Sequence, residues 1–204
     1  MPFFIRLFSI YNKLLSIETF SSLAETEPLF EDIEFEKEVT NTHDQFIIKK
    51  NGSEAALIIE NIPSKKDEDK FKLDNIIEYA CEKKPLKSAK WVKNYLKKTS
   101  VLYEFIPLAD LETEEDWEIF SLIYIEAWAY LRGIFQIKNE GFTNESGDII
   151  LWDFPYDATG SRTAALRTFT GRWKTFELDT EDNSQKKDFL KGKIPEKSKI
   201  IYRG

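Results

Sequence analysis

The dipeptide Asn51-Gly52 sits between two apolar runs in QFIIKKNGSEAALIIENIP, residues 45–63. Asn and Gly tolerate the left-handed backbone of a two-residue hairpin turn, so the flanking runs are expected to pair as antiparallel strands. Pro63 closes the second strand because it has no N–H for the ladder. Other segments share the strand pattern. Ile33 and Phe35 alternate with Glu34 and Glu36, and SVLYEFIPL (100–108) is apolar enough on both faces for a central strand. FQIKNEGFTNESGDIILWDF (135–154) reads as two strands, Phe135–Phe142 and Asp148–Trp152, around a turn. There Asn144 suits the start of a type I turn and Gly147 the left-handed residue that follows.

The period changes elsewhere. Phe71, Leu73, Ile76, Ile77, Ala80 and Cys81 recur at helical spacing across 66–84, and Pro85 stops them. A second helix is expected at about 87–98, with Ala89, Val92 and Leu96 near one face. The longest runs from Thr113 to Arg132, where Thr113 and Asp116 match a capping box and Gly133 a stop. At the start, Arg6, Ser9, Asn12, Lys13 and Ser16 interrupt an apolar run every three or four residues. This predicts an amphipathic helix over residues 1–20 that covers the domain, with Met1–Ser16 lying on a membrane surface as the sharper alternative.

These elements predict a single α+β domain over residues 1–204, with a mainly antiparallel sheet of hairpins and helices packed on one face. A ferredoxin-like arrangement is among those this order allows. Residues 33–154 form the expected core and 155–204 a less regular C-terminal extension. Within that extension TGSRTAALRTFTG reads as a short helix between Ser161 and Gly171, RWKTFELD as a strand, and the chain beyond as a surface segment with Phe189, Leu190 and Ile194 to bury.

Hydrophobic residues make up 42% of the chain against 32% charged, a globular balance. Cys81 is the single cysteine, so no internal disulfide forms and a reducing cytoplasm is the expected compartment. The net charge of −7 alternates along the chain: residues 1–60 hold 5 basic and 11 acidic groups, 61–108 hold 11 and 7, 109–157 hold 2 and 12, and 158–204 hold 11 and 6. The first and third stretches could build one acidic patch. No continuous basic footprint of the kind nucleic acid needs runs through them.

His43 is the single histidine, which removes most Ser-His-Asp, Cys-His and multi-histidine metal sites. Cys81 shares a helical stripe with Leu73 and Ile77 and reads as an inert core thiol. A Mg²⁺-dependent hydrolase or nuclease-like enzyme without histidine needs only carboxylates to hold the ion; Glu126, Glu140 and Asp148 are its candidate ligands. Glu126 stands out because it interrupts an apolar helix, although it shares a stripe with Glu118, Leu122 and Ala129 that favours an exposed edge. Arg162, Arg167 and Arg172 lie in a segment free of acids and are candidates for anion binding, with ATGSRTAALR resembling a Gly turn that opens a helix.

The expected function is therefore a non-enzymatic cytoplasmic interaction protein, of a bacterial accessory or immunity type, that binds a basic protein partner. Glu112, Glu114, Glu115, Asp116 and Glu118 form the expected electrostatic face. No cofactor is expected. A second copy of the chain is a further candidate partner.

Overall fold

The computed structural model describes residues 3–40, 43–108 and 113–202. In chain order the elements are β1 (Ile5–Ser9), α1 (Ser21–Thr26), β2 (Ile33–Val39), β3 (Asp44–Lys50), β4 (Ser53–Asn61), α2 (Asp67–Glu82), α3 (Leu86–Leu96), β5 (Val101–Pro107) and α4 (Glu114–Leu131). There follow β6 (Ile134–Ile137), β7 (Gly141–Thr143), β8 (Ile149–Trp152), β9 (Ser161–Arg167), β10 (Trp173–Asp179), α5 (Asn183–Leu190) and β11 (Ile200–Ile201). Two compact units result: Met1–Lys70 with Thr99–Gly133, and Phe71–Lys98 with Ile134–Gly204. The class is α+β with mainly antiparallel strands.

In the first unit the strands run β1-β5-β4-β3-β2. The hairpin at Asn51-Gly52 forms as the sequence predicts: Lys50 faces Ser53, and the two turn residues have φ of 53° and 76°. Three consecutive strands, β2 to β4, precede any long helix, which is not the β-α-β-β-α-β order of a ferredoxin-like domain. Strand β5 is buried over its first five residues, as expected of a central strand, and pairs with both β1 and β4. Helix α4 starts at the predicted capping box, where the Thr113 hydroxyl accepts the Asp116 N–H at 3.1 Å and the Asp116 carboxylate accepts the Thr113 N–H at 3.2 Å. At Gly133 an added methyl would run into the Phe8 carbonyl, so the close approach there admits only glycine.

Among the described residues the predicted helix over 1–20 does not form; residues 1 and 2 of that range lie outside them. Residues 5–9 are strand β1, buried at four of five positions, followed by a 3-10 turn at Ile17–Phe20 and the short α1. Arg6 looked like a break in an apolar face, yet it lies opposite Glu104 in the ladder and pairs with it at 2.7 Å. A charge with a cross-strand partner needs no exposed helical face.

In the second unit the strands run β11-β10-β9-β8-β7-β6, and β8 with β9 is a parallel pair. The stretch 135–142 is two strands rather than one, because a turn at Asn139, with φ of 63°, separates β6 from β7. The next turn is as predicted: Gly147 has φ of 81° and donates to the Asn144 carbonyl at 3.1 Å. The C-terminal extension is more regular than expected. SRTAALR forms strand β9, not a helix, and residues 183–190 form α5. Ala164 and Ala165 are fully buried, and the cluster of Ile149, Leu166, Phe176, Leu178 and Phe189 closes around Ala164. The small side chain of Ala164, in a strand between β8 and β10, leaves room for those aromatic rings. A reading of helix propensity alone misses this.

Candidate functional site

Charge divides between the two units. The first holds 9 basic and 22 acidic residues, a formal −13, and the second 20 basic and 14 acidic, a formal +6. Four cations of the first unit are paired with acids: Arg6 with Glu104, Lys37 with Asp44, Lys49 with Glu36, and Lys50 with both Glu115 and Asp116. The acid surplus is left facing solvent.

Of the predicted electrostatic face, Glu112 lies outside the described residues. Glu114, Glu115, Asp116 and Glu118 occupy the first turns of α4. Asp116 is committed to the cap and to Lys50; the Thr113 hydroxyl first, then Lys50, holds its carboxyl below the ordinary value. Lys50 also takes Glu115, at 2.9 Å. Glu114 and Glu118 remain exposed. A second acidic row escaped the sequence reading as a binding face. Glu34, Glu36 and Glu38 are exposed along β2, which ends the strand order of its unit, while Phe35 on the other face stacks at 4.9 Å from Phe20. The alternation EFEKE was the signal that could have located it.

The carboxylates proposed for a metal divide between the units, Glu126 in the first and Glu140 with Asp148 in the second. Asp148 is 1% exposed and structural: its carboxylate accepts Asn144 Nδ2 at 3.1 Å and the Thr175 hydroxyl at 3.0 Å. Glu126, on the exposed side of α4, accepts the Ser22 hydroxyl at 3.4 Å. Glu140 is half-buried; burial pushes its carboxyl up, and Arg162 partly offsets this. Among the described residues no group of three His, Cys, Asp or Glu is placed to hold a metal ion. His43 contacts Gln45 through Nε2 at 3.1 Å, and Cys81 is half-buried.

A further cluster joins α2 to the chain after β8. Asp153 accepts from the Tyr79 hydroxyl and from Lys83 Nζ at 2.6 Å, and the ammonium lies 4.0 Å from the Tyr79 ring centre. Burial pushes the Asp153 carboxyl up and the Lys83 ammonium down, against the sense of an ion pair. The short contact and the 24% exposure of each side chain, which lets water screen the desolvation, decide for the charged pair. It fastens α2.

Arg162 and Arg167 are five residues apart on β9 and therefore on opposite faces, and Arg172 is in the turn before β10. They do not converge. Arg167 instead joins residues remote in sequence: its guanidinium donates twice to the Gly171 carbonyl, at 3.1 and 2.6 Å, and sits 5.9 and 5.5 Å from the ring centres of Trp91 and Trp173. It lines a cavity at the start of α3 with Lys84, Lys87 and Lys191. The helix N-terminus beside the arginine is thus that of α3, not one opened by the glycine turn before Ser161.

No family model, curated protein or solved structure matches the chain. Among the described residues no helix is long and apolar enough to cross a membrane.

Proposed function

We propose that the chain is a non-enzymatic binding protein whose acidic first unit holds a basic protein partner, in the manner of a bacterial accessory or immunity protein acting in the cytoplasm. The observation that carries this reading is the row Glu34, Glu36 and Glu38 on an edge strand, within a unit of formal charge −13. An edge strand offers unpaired N–H and C=O groups to another extended segment. Its glutamates oppose pairing with a second copy of the same strand and favour a lysine- or arginine-rich one. Complementary charge steers the encounter and loses that effect as salt screens it.

The test uses a synthetic peptide of alternating Lys and Val, with a Glu-Val peptide as control. The basic peptide is expected to associate with the full chain roughly tenfold faster at about 0.01 M than at about 0.15 M salt. It should also protect the amides of residues 33–39 from exchange. Combining Glu34→Lys, Glu36→Lys and Glu38→Lys should abolish the effect with the circular dichroism unchanged. An association rate indifferent to salt, or to the three substitutions, would remove the proposal. A rise in melting temperature with millimolar Mg²⁺ would favour the hydrolase reading in its place.

A further inference from the structure

Helix α3 opens without a cap. Its N-cap residue is Pro85, which has no side-chain acceptor, and its first turn holds no acid. The amides of Leu86, Lys87 and Ser88 have no acceptor within the helix and carry the positive end of its dipole. This end faces a cavity of about 450 Å³. Lys84, Lys87, Arg167 and Lys191 line it, and no carboxylate does. In a chain of net charge −7, four cations around an uncapped helix start form a strongly local positive field.

A second, independent feature points to a ligand. Ser88 belongs to the cavity wall, is 0% exposed, and its hydroxyl has no hydrogen-bond partner. Side chains on a helix lean toward its N-terminus, which aims this hydroxyl toward the cavity end of α3. Buried hydroxyls are almost always paired, and an orphan is costly unless something absent supplies the acceptor. Arg167 is fixed in place by Gly171 and flanked by two tryptophans, so its fork is oriented before any ligand arrives.

The cavity continues into a groove of about 490 Å³ that shares Lys84, Leu190 and Lys191. The groove adds Lys186, Lys187, Trp152 and Tyr156, again with no carboxylate. The Tyr156 ring is 84% exposed, with Lys186 Nζ 5.1 Å from its centre. An exposed aromatic face beside cations suits a planar base.

We propose that the cavity at the start of α3 binds phosphate and that the adjoining groove holds an aromatic base, so that the second unit takes a nucleoside diphosphate or triphosphate. The phosphate accepts from the amides of α3 and from the Ser88 hydroxyl, and the lysines and Arg167 balance its charge. Base stacking tolerates any base, so ADP serves as a general ligand for the test.

The full chain is titrated at low salt with ADP, inorganic pyrophosphate and adenosine, following tryptophan fluorescence and thermal shift. Pyrophosphate and ADP are expected to bind, ADP roughly tenfold tighter, and adenosine far more weakly. Ser88→Ala and Lys87→Gln should each weaken both phosphate ligands roughly tenfold, whereas Tyr156→Ala should weaken ADP alone. Lys87 is exposed, so its variant keeps the test valid if Ser88→Ala disturbs the fold. No response to ADP or pyrophosphate at millimolar concentration overturns the proposal. So does ADP binding no tighter than pyrophosphate, wild-type affinity in both Ser88→Ala and Lys87→Gln, or a deoxythymidine oligomer that outcompetes ADP.

Discussion

Tyr103 is fully buried, and its hydroxyl connects two groups that would be costly to bury alone. It donates to the Glu60 carboxylate, itself 5% exposed, and accepts the Leu15 N–H at 2.9 Å. Burial first and the hydrogen bond to Glu60 second push the phenol far above its ordinary range, so it stays a donor at every pH the fold survives. Tyr103→Phe leaves the carboxylate and the amide unmet, and should cost about 2–4 kcal/mol in urea unfolding. A change under about 0.5 kcal/mol would show that water replaces the hydroxyl. Glu140 makes the opposite kind of prediction. Burial raises its carboxyl above the unfolded value of 4.5. The folded state then holds its proton more tightly than the unfolded state, so stability falls as pH climbs from that value through the folded pKa. Glu140→Gln should therefore stabilise the protein at neutral pH, and the gain should vanish below about pH 4.5 in denaturation curves of the two proteins.

At the scale of elements, local chemistry shows where each helix or turn starts when the groups that decide it are adjacent in sequence. The start of α4 is such a case, with Thr113 and Asp116 three residues apart. Thr113→Ala should cost about 1 kcal/mol by thermal or chemical denaturation, and Thr113→Ser should restore most of it. The Asn51-Gly52 hairpin, the Asn144–Gly147 turn, α2, α3 and β10 were legible for the same reason. Elements decided by distant partners were not. Arg6 becomes a strand residue because Glu104 lies across the ladder, 98 positions away. Ala164 becomes strand because Phe176 and Phe189 need the space beside a small side chain. The cavity at α3 was half legible. Arg167 stood out as a cation in an acid-free stretch, but Pro85 reads equally as the end of one helix and the start of the next, and only the fold brings residues 84–88, 167 and 190–192 to one wall.

For the whole molecule, the division of charge has a consequence for stability as well as for binding. The first unit, at −13, repels itself, while the second, at +6, does so less. Two effects of salt compete in the first unit. Screening weakens contacts such as Lys49 with Glu36 at 2.7 Å, but exposed pairs of this kind contribute only about 0–1 kcal/mol each and are short enough to be screened last. Repulsion among the surplus acids acts over longer distances, and a screening length that drops from about 30 Å at 0.01 M to about 8 Å at 0.15 M removes most of it. Relief of repulsion thus outweighs the weakening of the pairs, and added NaCl should stabilise the first unit. Amide exchange in β3 and β4 is expected to slow over this range, and to slow more than in β9 and β10. An equal response in both pairs of strands would mean that salt acts on the chain generally, and that the acid surplus of the first unit is already neutralised by contacts within the fold.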